Sequence, residues 1–423
     1  FGALGQGNRQ GITKAVAIVA GLTMTTAGYV RGLIAQRKQS QPAPTSSTEL
    51  APFDNGQTSL RVLMVSARYF PLTGGTETHT YEVARRMAAD GHQVTVLTTD
   101  LSGELAPQEI HAGVTIKRVA AYPRSRDFYF APAIYSEITS GKWDVVHIQG
   151  YHTFVAPIAM FAAWRSKTPY VVTFHSGGHS SSLRNKGRSF QRLLLKPLLE
   201  RANQLIGVSQ FEADFFAQHL GIDRQRFVVI PNGSHLPALD YPVLPEPYPL
   251  IVSSGRLERY KGHQHVISAF SKVLEERSDA RLRIAGAGPY ELELQHLATS
   301  LGVQDRVEIQ AIPSVNRLGM AELLSRASLV VLFSEYEAHP VAVMEALSLK
   351  RPVLVADTSG LSELAQRGLV QALPLESNSD QLAAAILQQL DHPLIPADVT
   401  LPTWDGCAAQ LLEVYRYVLR RAH

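Results

Sequence analysis

The feature that most constrains this chain is an alternation of short apolar strands with helical patterns that runs, breaks at a cluster of prolines, and starts again. Arg61 to Ser66 (RVLMVS) is apolar without alternation, as a parallel strand covered on both faces must be. A glycine-bearing loop, Pro71-Leu-Thr-Gly-Gly-Thr, leads into a helical pattern from Glu77 to Asp90 that Gly91 stops, and Gln93 to Thr98 is the next strand. Strand, helix and strand at this spacing make a right-handed crossover unit. Asp144 to Ile148, Tyr170 to Phe174, Leu205 to Val208 and Phe227 to Ile230 continue the sheet, and the last of these ends at the turn signal Pro231-Asn-Gly.

Pro237, Pro242, Pro245, Pro247 and Pro249 then stiffen the stretch 236–249 into an extended linker. The rhythm restarts at Leu250 to Ser254, Arg281 to Ala285, Val307 to Gln310, Leu329 to Phe333 and Pro352 to Ala356. This predicts an α/β chain of two doubly wound, Rossmann-like domains, 60–235 and 250–398, which the length of 423 residues accommodates together with extensions. Trp404 to Leu419 places Ala408, Leu411, Leu412, Val414, Tyr415 and Val418 at helical spacing, so 399–423 is expected to be a final helix packing on either domain.

Residues 1–59 read as an extension and linker. Gln36 to Ser59 is rich in Pro, Ser, Thr and Gln, and Ala15 to Val30 is mostly apolar between Lys14 and Arg31. The apolar stretch has two readings, a membrane anchor or signal remnant, and a poorly ordered extension. A net charge of +3, from 40 basic against 37 acidic residues, argues against a nucleic-acid partner. Cys407 is the single cysteine, which excludes an intrachain disulfide and suits a reducing compartment, so the cytoplasm is the expected location. Ser189 to Glu200, preceded by Arg184, Lys186 and Arg188, is basic and amphipathic. It suits either a peripheral contact with an anionic inner membrane face or a core-facing helix with a solvated basic side.

Doubly wound sheets bind ligands beyond the carboxyl ends of their strands. The loop after the first strand of the second domain, Ser253-Ser-Gly-Arg-Leu-Glu-Arg-Tyr-Lys-Gly, offers Arg256 and Lys261 there. Two fixed cations bind a diphosphate and stabilise the charge it gains as a leaving group; the alternative is a pair of solvated surface residues. Gly286-Ala-Gly288-Pro is either a backbone approach to a ligand or a structural turn. In Glu337-Ala-His-Pro-Val-Ala-Val-Met-Glu345, N–H groups of His339 and Val341 at a helix start suit a phosphate or a sugar hydroxyl. Glu337 and Glu345 are acceptors for vicinal hydroxyls, and Glu345 lies in an apolar run where an unpaired charge is costly.

Taken in order, the loop Gly74-Gly75, Thr173-Phe-His175, Val208-Ser-Gln, Ile230-Pro-Asn-Gly, Gly255-Arg-Leu with Lys261-Gly, Gly286-x-Gly-Pro and Glu337-x7-Glu345 resemble glycosyltransferase family 4, over Arg61 to Leu390. That resemblance implies the GT-B fold, with two Rossmann-like domains facing across a cleft. It also implies a retaining hexosyltransferase using a UDP-sugar or GDP-sugar donor, no metal or other cofactor, and a glycan, lipid-linked or small-molecule acceptor. By the same resemblance Arg256 and Lys261 hold the diphosphate, Glu345 the nucleotide ribose, and Glu337 faces the sugar. Gly74 and Gly75 approach the phosphates from the other domain, His175 sits near the reacting sugar, and Gly255, Gly286 and Gly288 line the donor site, to which the helix-start reading adds His339 and Val341. The chain departs from the family pattern at Ala338-His339-Pro340, where Gly-Phe-Gly or Gly-Phe-Pro is usual, which bears on sugar recognition. A sugar-nucleotide epimerase on the same fold and a catalytically silent nucleotide-sugar-binding paralogue are the alternative functions.

Overall fold

The computed structural model describes residues 59–422 apart from 73, 125–127, 176–181, 245, 314–315 and 398, and the side chains of 182–190 are not described. The apolar stretch Ala15 to Val30 and nearly all of the Pro-rich extension lie outside the described residues.

Two sheets are formed, one on each side of the proline-rich stretch. The first contains β1 (Arg61–Ser66), β2 (Gln93–Asp100), β3 (Gln108–His111), β4 (Val114–Ala120), β5 (Val145–Gln149), β6 (Tyr170–Thr173), β7 (Gln204–Gly207) and β8 (Phe227–Val229). Their order is β3-β4-β2-β1-β5-β6-β7-β8, parallel except for the β3–β4 hairpin. The second contains β9 (Leu250–Ser254), β10 (Arg281–Ala285), β11 (Val307–Ile309), β12 (Leu329–Leu332), β13 (Val353–Asp357) and β14 (Gln371–Pro374). It is wholly parallel, in the order β11-β10-β9-β12-β13-β14.

The helices of the first half are α1 (Gly75–Ala89), α2 (Ala133–Ser140), α3 (Val155–Arg165), α4 (Ser182–Leu199) and α5 (Gln210–Leu220). Those of the second are α6 (His263–Glu276), α7 (Glu291–Ser300), α8 (Arg317–Arg326), α9 (Val341–Ser348), α10 (Ser359–Gln366) and α11 (Ser379–Asp391), followed by α12 (Trp404–Ala422). Strand β1 shows why the sequence carries no alternation there. Leu63 and Val65 enter one core with α3, while Val62 and Met64 enter a second core on the opposite face with α1 and α12. Two doubly wound, Rossmann-like domains result.

The last helix packs on the first domain. Trp404, Leu411 and Tyr415 share a core with Met64, Val83 and Val96, and Asp405 accepts from Arg86 Nε at 2.7 Å. The chain crosses back close to the turn Pro231-Asn-Gly, where a Cβ on Gly233 would lie 2.2 Å from Trp404 N, so only glycine fits. The two domains also touch directly. Glu363 of α10 accepts from the N–H groups of Gln210 and Phe211 at the start of α5, and Phe211 meets the ring of Tyr336 at 5.8 Å.

In α4, Leu195, Leu198 and Leu199 are buried in the first core while Leu193 is exposed. This part of the helix faces inward, and the side chains of Arg184, Lys186 and Arg188 lie outside the described residues. Among the described residues no helix is long and apolar enough to cross a membrane.

Candidate active site

Three neighbouring strands of the second sheet, β9, β12 and β13, deliver their loops to one place at their carboxyl ends. After β9 the chain passes Gly255 and Arg256, makes a 3-10 turn over Arg259–Lys261, and enters α6. Lys261 Nζ lies 2.6 Å from Glu337 Oε1, in the loop after β12. Ser334 Oγ donates to the same oxygen at 3.0 Å, and the Glu337 N–H donates to Ser359 Oγ, beyond β13, at 2.8 Å. The Lys261 and Glu337 side chains are only 18% and 12% exposed. Burial pulls the Lys261 ammonium down, but the adjacent Glu337 carboxylate and the Tyr260 phenol together outweigh it and hold it above its ordinary value, so the cation stays charged. Arg256 sits further out, 53% exposed, and pairs with Glu258 at 2.9 Å.

The glycine loop after β10 braces this arrangement. A Cβ on Gly286 would fall 1.9 Å from the carbonyl oxygen of Gly255, and one on Gly288 would fall 2.3 Å from that of Leu257. Of the two readings of Gly286-Ala-Gly288, loop-on-loop packing is the one this geometry displays, and it fixes the segment that carries Arg256.

Glu345 lies inside α9, buried, and is paired with Arg317 at the start of α8. Burial raises the Glu345 carboxyl and the Arg317 guanidinium works against that rise. The apolar run around Glu345 demanded a partner, but nothing in the sequence around Arg317 marked it as the one. Val341 opens α9 and packs against the first domain's core, so the Glu337–Val341 loop lies at the junction of the domains. His339 in that loop has a buried Nδ1 without a hydrogen-bond partner among the described residues. Burial, with Arg367 nearby, pushes its imidazole down to about 4.

The first domain supplies the other set at the carboxyl ends of β1 and β6. Helix α1 begins at Gly75, earlier than the expected Glu77, and the Gly74 carbonyl accepts from Thr78 N at 2.9 Å. A Cβ on Gly75 would enter open space, whereas one on Gly74 would meet Glu77 Oε2 at 2.5 Å. Glu77 is itself paired with Arg68 at 2.8 Å. His175 follows β6 with φ of +44°, a left-handed conformation that a residue with a Cβ adopts at a cost of about 1–3 kcal/mol and that tends to persist at functional sites. Its Nε2 lies 2.7 Å from Gln149 Oε1, and its ring meets that of His79 edge-on at 4.5 Å. Burial, then the neighbouring His79, His147 and His152, hold His175 well below 6.5, so it is neutral. Gln149, His79 and Arg317 are site neighbours that sequence reasoning missed; Gln149 and Arg317 come from elements carrying no motif, and His79 lies in α1 one turn beyond the Gly74-Gly75 motif.

These buried histidines have a consequence for stability. Burial lowers His79, His263 and His339 to about 4, and His147 and His175 fall well below 6.5. The unfolded chain takes up protons below about pH 6.5 while the folded one does not. Their contribution is therefore present above that pH and lost progressively as pH falls towards 4. Glu345 and Glu363, whose carboxyls are raised by burial, act in the opposite sense and offset part of the loss. The melting temperature is expected to be level between about pH 7 and 8 and to decline below about pH 6.5. A level melting temperature down to about pH 4.5 would refute neutral burial.

Known proteins resemble this chain in both halves. Residues 73–236 match Glycosyltransferase Family 4 and residues 241–399 match Glycosyl transferases group 1. A D-inositol 3-phosphate glycosyltransferase of Nocardiopsis dassonvillei is 28% identical over 407 residues, spanning 84% of this chain and 94% of that protein. A GDP-mannose:cellobiosyl-diphosphopolyprenol alpha-mannosyltransferase of Xanthomonas oryzae pv. oryzae is 29% identical over 343 residues, spanning 78% and 88%. Sucrose-phosphate synthase from Thermosynechococcus elongatus superposes with a TM-score of 0.70 at 18% identity, over 85% of this chain and 99% of that one, and bears on the fold alone. The paired Rossmann-like domains and the matches across both of them place the chain in glycosyltransferase family 4, as a glycosyltransferase of the GT-B fold.

Proposed function

We propose that this glycosyltransferase moves a hexose from a nucleotide-diphosphate sugar to an acceptor hydroxyl with retention of anomeric configuration. The observation that carries the reading is the Lys261–Glu337 pair, mostly buried at the carboxyl edge of the second sheet, with the Glu345–Arg317 pair on the neighbouring helix. In the proposed reaction the bond from the sugar's anomeric carbon to the diphosphate oxygen breaks, and the acceptor oxygen bonds to that carbon on the same face. The acceptor's proton passes to the departing diphosphate, which leaves as the nucleoside diphosphate. Lys261, with Arg256 at the rim, neutralises the charge that develops on the leaving group, so the scheme needs no metal ion. Glu345 takes the ribose hydroxyls, and Glu337 and His339 face the sugar. Gly74 and Gly75, at the start of α1, bring N–H groups to the phosphates, as helix N-termini do elsewhere. Domain closure excludes the water that would hydrolyse the donor.

The relatives' names support this reading and its breadth, since they include a glycosyltransferase named for D-inositol 3-phosphate and a mannosyltransferase named for GDP-mannose and a diphosphopolyprenol-linked acceptor. A thermal-shift panel of UDP, GDP and their sugars tests the reading and selects the nucleotide. A ligand held only by the folded state at a hundred times its dissociation constant stabilises by about 2.7 kcal/mol, so the preferred nucleotide is expected to raise the melting temperature by several degrees. No shift with any of them would sink the donor site. Isomerised UDP-sugar without acceptor identifies an epimerase, and binding without product under any acceptor identifies a silent paralogue.

A further inference from the structure

A chain of buried side chains joins the last helix to His175. Strand β5 presents His147 and Gln149, two residues apart and therefore on one face, and Thr173 pairs with Gln149 across the register of β5 and β6. His147 Nδ1 lies 2.5 Å from the Tyr415 hydroxyl of α12, and His147 Nε2 lies 2.7 Å from Thr173 Oγ1. Gln149 Nε2 is 3.3 Å from His147 Nδ1, while Gln149 Oε1 is 2.7 Å from His175 Nε2. His147, Tyr415, Thr173 and Gln149 are all buried, as is His175.

We propose that Tyr415, His147 and Gln149 act as positioning residues that fix the proton of His175 on Nε2, leaving its Nδ1 as a hydrogen-bond acceptor for substrate. The argument is one of donors and acceptors. A neutral imidazole has one of each, and a carboxamide oxygen only accepts. The phenol is the more acidic hydroxyl in the chain and so the stronger donor, and His147 is its one hydrogen-bond partner among the described residues. Its O–H therefore donates to His147 Nδ1, and the His147 proton is on Nε2, donating to Thr173. The Nδ1 lone pair is committed to the phenol and repels a carboxamide oxygen, so at 3.3 Å it admits the Gln149 N–H only as a weak, shared second contact, which turns the Gln149 oxygen towards His175. Facing an acceptor, His175 must carry its proton on Nε2. The reverse direction turns every member around and leaves the phenol as a buried donor with nothing to donate to, which forfeits more than leaving the threonine hydroxyl in that state.

The idea that His175 accepts from the donor sugar rests on the proposed transfer function; the tautomer itself does not. The test uses the full chain without substrate, with long-range proton–nitrogen NMR of the imidazole rings, His175 being assigned by its loss in H175N. The wild type is expected to show His175 protonated on Nε2. Tyr415→Phe removes only the hydroxyl, and Thr173 then becomes the donor to His147. The chain reverses and His175 moves its proton to Nδ1. Gln149→Leu cuts the chain, so adding Tyr415→Phe to it should leave the His175 tautomer where Gln149→Leu alone put it. A packing role for Tyr415 would change the melting temperature without moving that proton.

With the reversed tautomer, kcat is expected to fall about tenfold with little change in donor KM, the size of one hydrogen bond turned from acceptor to donor. A wild-type His175 protonated on Nδ1 overturns the proposal even if Tyr415→Phe fails to fold, and so does an unmoved tautomer in a folded Tyr415→Phe. A moved tautomer with unchanged kcat upholds the positioning chain and instead overturns the assignment of His175 to the sugar.

Discussion

Lys261→Ala is expected to lower kcat/KM by about three orders of magnitude, with the larger part in kcat. Removing one preorganised electrostatic partner of a developing negative charge typically costs about 10²–10³ in kcat. Here the substitution does more, because Glu337 loses the cation 2.6 Å away and remains a mostly buried carboxylate beside the proposed diphosphate position. Like charges then meet, so donor affinity falls as well. Folding should also suffer by about 3 kcal/mol, the lower end for breaking a buried pair from one side. The double variant Lys261→Ala with Glu337→Gln separates the two effects, since it should regain most of the stability and little of the turnover. Arg256→Ala is expected to be milder, because that guanidinium is half exposed and water screens it. Near-normal turnover and donor affinity in Lys261→Ala would remove the diphosphate role.

How much of this was legible before the structure depends on where each element lies in its sheet. Strands β1, β9 and β10 coincide residue for residue with the apolar runs Arg61–Ser66, Leu250–Ser254 and Arg281–Ala285, because central parallel strands are covered on both faces and admit few polar residues. Strands β3, β4 and β14 were not anticipated. Strand β3 is an edge strand, and its sequence QEIH is almost entirely solvent-facing, so it carries no apolar signal. β4 is tied to it by an antiparallel hairpin rather than a crossover helix, and β14 is the partly exposed far edge of the second sheet. The stripe of α12 announced a buried face but not its partner, since an apolar face is complementary to any core. The choice fell to the first domain through the close crossing at Gly233 and Trp404.

The candidate site was legible in its loops and not in its partners. Lys261 and Glu337 stand out because each follows a strand whose end the pattern locates, and their contact follows from β9 and β12 being neighbours. Arg317 is the partner of Glu345 and Gln149 that of His175, yet one begins a helix and the other ends a strand with no flanking motif. Only the requirement for a partner was visible, because spacing along the chain does not encode proximity between separate elements. Gly286 illustrates a related ambiguity. A glycine beside a strand end is equally suited to a ligand and to another loop, and its 1.9 Å approach to Gly255 emerges only once both loops are placed.

The pair formed by Glu345 and Arg317 permits a sharper separation of binding from catalysis. Arg317→Leu should cost about 2–3 kcal/mol, less than a fully buried pair, because Arg317 itself is 39% exposed while Glu345 is not. With the guanidinium gone, burial acts on the Glu345 carboxyl unopposed and raises it further above its unfolded value. A group raised in this way stabilises the fold below its unfolded pKa and loses that contribution as pH rises through the folded one. Relative to the wild type, Arg317→Leu should therefore gain stability as the solution is made more acid, and a constant difference across pH would show that Glu345 does not depend on Arg317 for its charge. Glu345→Gln keeps the shape and one acceptor but removes the charge, which for hydrogen bonds to a charged group is worth about 1.5–3 kcal/mol. If Glu345 holds the ribose, that loss falls equally on the ground state and the transition state. Donor KM and the dissociation constant of the free nucleoside diphosphate should then both rise by about ten- to a hundredfold while kcat stays near the wild-type value. That signature is opposite to the one expected of Lys261→Ala, and wild-type nucleotide affinity in Glu345→Gln would take the ribose from Glu345.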